Sequence, residues 1–434
     1  MEKPTADAPV APANATADTA AGAPAWTPYQ KRLFFFLSVA TFFEGYDYLA
    51  LPQILPNLRQ DLGLSPSQGF TLIGVINIGM VLAYLLVRQA DVWGRKRVLS
   101  LTIVGYAASS FLTALMPNAI GFALCQLLAR AFLIGEWAVA MVYAAEEFPA
   151  ARRGAVIGLI QACSSIGAIT CAGLVPILLK TSIGWRSVFV VGSVPLLLIA
   201  IARRNLRETA RFTALSDSRP TDGTAPGRSL FRIFSAAPQH RHRVYLMAAI
   251  WGLTYICTAN AQTFWKEFAV HERGFTDAQV GGSVTIAALA SMPLLFYTGR
   301  MLDRLGRRRG ALIIFGSAAV STFLSYTLQA RWALTLSMTV TIFGISAVLP
   351  VLNAYNTELF PTDLRSDALA WANNLLGRLA QVLSPMLLGL YANQYGWGKT
   401  IAATTICPIL AVTLILWRLP ETTGLELEQT ARVD

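Results

Sequence analysis

Five ionisable residues sit inside long apolar runs of this chain: Glu44, Asp47, Arg130, Glu136 and Arg378. A charge within a run able to cross a bilayer is costly and by default marks a functional position. Glu44 and Asp47, in Phe42-Phe43-Glu44-Gly45-Tyr46-Asp47-Tyr48, are three apart and share a helical face. Glu44 follows Leu33 by 11 residues, which is ~17 Å of helical rise and near the middle of a ~30 Å hydrocarbon core. Arg130 follows Ala119 by 11 residues in a run of opposite direction, so it reaches a similar depth. An Asp47–Arg130 or Glu44–Arg130 pair is therefore geometrically allowed. Facing the guanidinium, a carboxylate stays ionised; parted from it in an apolar site, it takes up a proton. Such a pair is either a proton switch or a structural buried ion pair. Glu136, ~9 Å further along the helix than Arg130, either relays protons or joins the charges at that end.

Arg378 lies 13 residues after Arg365, ~20 Å along a helix and again at mid-depth. Trp371, Asn374 and Arg378 fall at i, i+3 and i+7, on one α-helical face. A guanidinium beside an amide and an aromatic ring suits a carboxylate on an apolar or aromatic body. Pairing of Arg378 with a carboxylate such as Glu44 is the alternative. Further candidate cavity residues are Tyr46, Gln161, Tyr255, Asn260, Gln262, Asn353 and Asn356, each of which can instead hydrogen-bond between helices. His240 and His242 are read as solvated and His271 as external, so no histidine metal site or histidine-based catalysis is expected.

The elements that must hold these groups are membrane helices. The chain of 434 residues is 54% apolar and only 14% charged, against roughly 25% charged in soluble domains, and its mean hydropathy is +0.50. Apolar runs of ~20 residues recur along its whole length without the period-2 alternation of a barrel. Twelve helices are expected, at 32–56, 70–89, 98–116, 119–147, 154–180 and 185–203, then 244–269, 277–300, 310–328, 331–358, 365–391 and 400–418. Residues 1–28, rich in Ala, Pro and Thr, read as a disordered cytoplasmic tail and not as a signal peptide. The first bundle is placed at 29–203 and the second at 244–418. The basic stretch 204–243 is a cytoplasmic linker, and 419–434 is a polar cytoplasmic tail.

The net charge of +11 does not point to nucleic acid, because the basic residues gather in alternate connectors. With the amino terminus inside, about 26 of the 35 Lys and Arg fall on the cytoplasmic side and about 7 opposite. This places both termini in the cytoplasm of a multi-pass inner-membrane protein. The five cysteines lie in apolar segments without CxxC spacing and read as packing residues. Pro176, Pro195, Pro293, Pro350, Pro385 and Pro408 interrupt the spans, either as simple kinks or as compliant points for a rocking motion.

Two connectors repeat each other. Gly299-x3-Asp303-Arg304-x-Gly306-Arg307-Arg308-Arg309 is echoed by Val87-x3-Asp91-Val92-x-Gly94-Arg95-Lys96-Arg97. Asp91 and Asp303 precede the third and ninth helices, where they can accept from backbone N–H groups or pair with arginines. Glu146 and Glu358, ending the fourth and tenth helices, are candidate partners for the connector arginines. Together Asp91, Arg95, Glu146, Asp303, Arg304, Arg307 and Glu358 read as a gating charge lock on the inner face.

The duplicated connector resembles the loop motif of the major facilitator superfamily. Arg207-Glu208-Thr-Ala-Arg211, Glu146-x2-Pro149-x2-Arg152-Arg153-Gly154, Glu358-x2-Pro361-x3-Arg365 and Pro420-Glu421-Thr-Thr-Gly424 resemble elements of its branch of sugar porters, aromatic-acid/proton symporters and organic-ion transporters. Glu44-Gly45-Tyr46-Asp47 is similar to the Asp-Gly-x-Asp element of the aromatic-acid symporters. The resemblance implies an all-α membrane protein: twelve transmembrane helices in two pseudo-symmetric six-helix bundles around a central cavity, working by alternating access. It also implies proton coupling at Asp47 and Arg130, and a basic residue, Arg378, that accompanies anionic substrates. The expected function is proton-coupled symport importing a small organic anion such as an aromatic or other carboxylic acid, by a monomer that uses no cofactor. Sugar or polyol symport and metabolite or drug efflux are the alternatives. A membrane enzyme or non-transporting sensor is the alternative of another class; no HExxH, Gly-x-Ser-x-Gly or phosphate-loop motif supports an enzyme.

Overall fold

The computed structural model describes residues 26–148, 150–202, 207–208, 238–361 and 364–422. The expected amino-terminal tail, nearly all of the linker and most of the carboxy-terminal tail lie outside these residues. The described chain is helical throughout. The first half supplies α1 (Pro28–Asp61), α2 (Pro66–Trp93), α3 (Arg95–Leu115), α4 (Ala119–Glu147), α5 (Ala150–Leu178) and α6 (Arg186–Ala202). The second supplies α7 (Pro238–Thr263), α8 (Trp265–Arg273), α9 (Asp277–Leu305), α10 (Arg307–Thr327), α11 (Arg331–Glu358), α12 (Arg365–Leu369), a π-helix (Ala370–Gly377), α13 (Arg378–Ala403) and α14 (Ile406–Arg418). Ten segments are long and apolar enough to cross a membrane; one of them, Asp367–Arg418, runs 52 residues, and Arg186–Ala202 is a shorter apolar helix.

Local sequence sets the helix starts. Thr27 and Ser65 each accept from the backbone N–H three residues on, while Gln30 and Gln68 reach back to the cap, with Pro28 and Pro66 at the first helical position. Thr276 and Gln279 repeat this box at α9. These caps satisfy backbone donors that hydrocarbon cannot.

Several helix limits differ from the sequence expectation, and the larger differences have physical reasons. The first helix reaches Pro28 and Asp61, because its capping box lies upstream of the apolar run and its polar last turns still hydrogen-bond. The seventh begins at Pro238, so His240 is buried at 9% exposure and not solvated. It breaks at Phe264, after which α8 turns away. The eleventh carries the π-helix, and Gly396, at φ 80°, breaks the chain between the last two apolar passes.

Packing within the first half joins α1 to α5, α2 and α3 to α4, and α3 to α6; within the second it joins α9 and α10 to α11, and α7 to the π-helix and α13. The halves meet where α2 lies on α13 and α5 on α9. The α1–α5 contact is as close as backbones allow. A Cβ on Gly45 would overlap the Ser164 carbonyl, and one on Gly167 would overlap that of Phe42. Membrane helices use small residues this way, since lipid is as apolar as their side chains and close contact must hold them together. The glycine between Glu44 and Asp47 therefore fixes the helix that carries both carboxylates. Gly45→Ala is expected to destabilise the protein by about 1–3 kcal/mol, read as a lower melting temperature in detergent. An unchanged melting temperature would show that α1 and α5 do not touch there.

Candidate transport site

The basic connectors build two matching braces. Gly94 and Gly306 adopt φ 97° and 89° at the starts of α3 and α10, a region open to glycine. In the first half, Arg95 Nε lies 3.3 Å from Glu146 Oε1, and Arg95 also donates to the Ala90 carbonyl at 3.0 Å. In the second, Arg307 donates to Glu358 Oε1 from Nε and Nη2 at 3.2 and 3.1 Å. The backbone N–H groups opening each helix are taken by a distant glutamate. Glu208 accepts from Lys96 N at 3.2 Å, and Glu421 accepts from Arg307 N and Arg308 N at 2.7 and 3.0 Å. A carboxylate on a helix amino terminus is favourable for charge and hydrogen bonding together. The side chains of Asp91 and Asp303, expected to do this, lie outside the described residues. Arg304 is exposed. Each of these braces joins helices of one half, so they stiffen the halves separately.

α1 and α4 bring four charged groups together, Glu44 half-buried and the other three buried. Asp47, Arg130 and Glu136 are 4%, 6% and 3% exposed. The charges acting on Glu44 are those of Glu136 and Arg130, and Arg130 also acts on Asp47. Tyr106 and Ser110 of α3 are polar neighbours of Asp47. No ion pair within 4.0 Å joins Arg130 to Asp47 or Glu44 among the described residues. Instead Asp47 Oδ1, Glu44 Oε2 and Arg130 Nη1 are buried without hydrogen-bond partners, and the guanidinium lies 5.6 Å from the Tyr48 ring centroid. Charges so placed interact strongly but are not locked.

The second half contributes Arg378, at the start of α13. Its charge acts on Tyr255 of α7, which also feels Tyr48. The Tyr255 hydroxyl donates to Asn373 Oδ1 at 2.8 Å. Arg378 Nε is buried without a partner, and Arg378 forms no ion pair among the described residues. The π-helix changes the register that the sequence implied. Its wider turn means that Trp371, Asn374 and Arg378 no longer share one α-helical face. Asn373 rather than Asn374 meets Tyr255, and Trp371 packs against the aliphatic core of the second half.

The other candidates divide. Tyr46 is 1% exposed, with its hydroxyl on the Val188 carbonyl of α6 at 3.2 Å, so it packs inside the first half. Asn260 donates to Ser384 Oγ of α13 at 2.8 Å, an interhelical bond. Gln161 accepts from Trp137 Nε1 at 3.3 Å. Asn356, 1% exposed, leaves both side-chain polar atoms without partners. Gln262 lines a cavity of about 140 Å³ to which both halves contribute. Among the described residues, no group of three His, Cys, Asp or Glu is placed to hold a metal ion.

The ion pair that joins the halves lies at the face opposite the connectors, amid further charges that the sequence reading did not single out. Arg59 of α1 donates to both carboxylate oxygens of the fully buried Glu267 of α8, at 2.6 and 3.1 Å. His271 Nε2 is 3.1 Å from Glu267 Oε2. Lys266 pairs with Asp277 at 2.5 Å and donates to Asn57 Oδ1 at 3.2 Å and to the Gln53 carbonyl. Beside them Phe70 of α2 stacks on Trp397 at 4.8 Å and meets Phe264 at 4.0 Å. This far face is sealed by bidentate charge pairing and aromatic packing. A usable signal was present: Lys266 and Glu267 fall inside the expected span 244–269. Glu267→Gln removes a buried charge from Arg59, and breaking such a pair costs roughly 3–5 kcal/mol. The variant is expected to open the far face, read as at least tenfold faster labelling of a cysteine at Gln262 by an impermeant maleimide. Unchanged labelling would show that the pair does not hold the seal.

Comparison with known proteins agrees with this architecture. The family model described as Major Facilitator Superfamily matches residues 37–268 and 247–433. The chain is 25% identical to the "Probable 4-methylmuconolactone transporter" of Cupriavidus pinatubonensis, over 94% of this chain and 95% of that one. It is 25% identical to the "Cis,cis-muconate transport protein" of Acinetobacter baylyi, over 89% and 94% of the two chains. Its fold matches the inward-open xylose transporter XylE from E. coli with a TM-score of 0.75, at 17% identity over 92% of this chain and 98% of that one. The chain belongs to the major facilitator superfamily and is a transporter, not an enzyme.

Proposed function

We propose that the protein is a proton-coupled symporter importing a small organic anion, such as an aromatic or other carboxylic acid, across the inner membrane by alternating access. In this reading twelve passes form two six-helix bundles, 29–203 and 244–418, in a monomer with both termini and the linker 204–243 in the cytoplasm. The observation that carries it is Arg378. Its guanidinium has a buried Nε without a hydrogen-bond partner, forms no ion pair among the described residues and acts on Tyr255, which makes it a cation awaiting an anion. Relatives named for muconate and methylmuconolactone transport support an organic-acid substrate.

Each group then has a role. Arg378 binds the carboxylate, and Tyr255, held by Asn373, borders the site. Asp47 carries the coupled proton, with Glu44 and Glu136 beside it. When Arg130 approaches, the ionised carboxylate is favoured; when it withdraws within an apolar surround, the protonated form is favoured. Loading an anion beside Arg378 and a proton beside Arg130 removes unpaired buried charge from both halves, which lowers the barrier to rearranging them. The connector braces keep each half rigid while the far-face seal opens.

Uptake of radiolabelled benzoate and muconate into proteoliposomes, with and without a pH gradient, is the direct measurement. Asp47→Asn is expected to abolish gradient-driven accumulation while sparing benzoate exchange, and persistent accumulation would remove Asp47 from the coupling role. Arg378→Ala is expected to weaken anion binding at least about tenfold, the loss of one charge-assisted hydrogen-bonded pair, with little change in melting temperature. Unchanged binding would remove Arg378 from the site.

A further inference from the structure

The proposed cycle gives no role to Tyr48 of α1, yet its side chain touches the coupling pair. The Arg130 guanidinium carbon lies 5.6 Å from the Tyr48 ring centroid, within the ~6 Å at which a cation is drawn to an aromatic face. Arg130 makes no ion pair among the described residues, and its Nη1 is buried without a hydrogen-bond partner. Asp47 Oδ1 is likewise buried without one. The cation therefore rests on a ring while a carboxyl oxygen beside it stays unpaired.

Helix geometry accounts for this placement. Tyr48 follows Glu44 by four residues and Asp47 by one. Residues four apart share a helical face, whereas neighbours point about 100° apart. A guanidinium over the Tyr48 ring is thus drawn round α1 away from Asp47, toward the side of Glu44. Guanidinium is weakly hydrated and favours aromatic faces, so out of water the ring competes with a carboxylate for it. The other groups around Asp47 are Tyr106 and Ser110 of α3, Cys171 of α5 and, on its own helix, Tyr46. Glu44 and Glu136 join them through Arg130, which also acts on Glu44. Arg130 supplies the positive charge of this group, so its position decides which carboxyl is compensated.

We propose that Tyr48 is a positioning residue for the proton site: its ring holds the Arg130 guanidinium off Asp47 and so sets how readily that carboxyl takes up a proton. This rests on the reading that Asp47 carries the coupled proton. With the ring in place Arg130 is shared, and proton uptake by Asp47 is eased. Without it Arg130 falls to the carboxylates, and the ionised form is favoured. The attraction is to the ring face and not to the hydroxyl, so a phenyl ring serves as well.

The test is infrared titration of the full-length protein in lipid vesicles, following the protonated-carboxyl band, with Asp47→Asn identifying the part that belongs to Asp47. Tyr48→Leu is expected to move the Asp47 midpoint about one pH unit toward acid, a roughly tenfold loss of proton affinity. Tyr48→Phe is expected to stay within about 0.3 unit of the wild type, and Tyr48→Trp, with the stronger ring face, to move the midpoint the other way. A role in packing alone would not give this order. An unchanged midpoint in Tyr48→Leu, a shift in Tyr48→Phe as large as in Tyr48→Leu, or no Asp47 band at any pH overturns the inference. Tyr48 is 38% exposed, so replacing it empties no core. Should Tyr48→Leu still fail to fold, Tyr48→Trp carries the test by its sign, and a midpoint that stays or moves toward acid overturns the inference. The proposed function fails separately: gradient-driven benzoate accumulation surviving in Asp47→Asn removes the coupling role, whereas the infrared midpoints still decide whether the ring positions Arg130.

Discussion

The cost of an unpaired charge out of water governs this molecule. An ion moved from water into a low-dielectric interior loses several kcal/mol even after relaxation. Charged residues are therefore scarce, and most cluster in connectors. The few that remain inside do one of two things. Arg59 pairs with Glu267 across the two halves, and Lys266, paired with Asp277 in its own half, donates across to Asn57, so that together they seal one face. Glu44, Asp47, Arg130 and Arg378 keep buried polar atoms without partners. The first group stores stability that must be given up for the face to open. The second is a set of unmet electrostatic demands that ions from outside can satisfy. A transporter needs both, since one state must be held shut and another made favourable by cargo.

The distinction between braces and seals follows from which helices each pair joins. Arg95–Glu146 and Arg307–Glu358 tie neighbouring helices within a half, and Glu208 and Glu421 cap the helices that bear those arginines. Moving one half against the other leaves these bonds intact. Arg59–Glu267 and Lys266–Asn57 span the halves, so the same motion breaks them. Moving a two-state equilibrium from 1:99 to 99:1 takes about 5.5 kcal/mol of differential binding. That is comparable to one buried ion pair broken, roughly 3–5 kcal/mol. In the proposed cycle a seal of this strength can be opened by the binding of a proton and a small anion, whereas disrupting the braces as well would exceed what such ligands supply.

Much of this was legible in the sequence, and the reasons for the exceptions are specific. Residue type alone marks Glu44, Asp47, Arg130 and Arg378, because an ionisable group in an apolar run needs no partner to be conspicuous. The duplicated Gly94 and Gly306 connectors declare the repeat, and the glutamates ending α4 and α11 declare the ion pairs. Three things were hidden. The π-helix before Arg378 carries no composition signal, so a 3.6-residue period placed Asn374 where Asn373 stands. The caps Glu208 and Glu421 are over one hundred residues from the helices they cap, and only folding brings them there. Lys266 and Glu267 sat at the edge of an expected span, where a charge can be solvated, and only the approach of α1 from the other half buries them.

α1 joins all these levels in one element. Over its 34 residues it carries Glu44 and Asp47 in the charged cluster, Gly45 in backbone contact with α5, Gln53 on the cavity between the halves, and Asn57 and Arg59 in the seal. Asp47 and Arg59 are twelve residues apart, ~18 Å along the axis. Pro52 and Pro56 lie between them, and each removes one backbone hydrogen bond from the helix. The glycine contact pins the lower part of α1 to α5, so a change of charge at Asp47 cannot move it freely there. The two prolines leave the upper part the more compliant. A shift in the α1–α4 electrostatics is therefore relieved above the prolines, where it changes the approach of Arg59 to Glu267. In the proposed cycle this is how a proton at one depth bears on a seal at another, through one covalent helix and not through a chain of side-chain contacts.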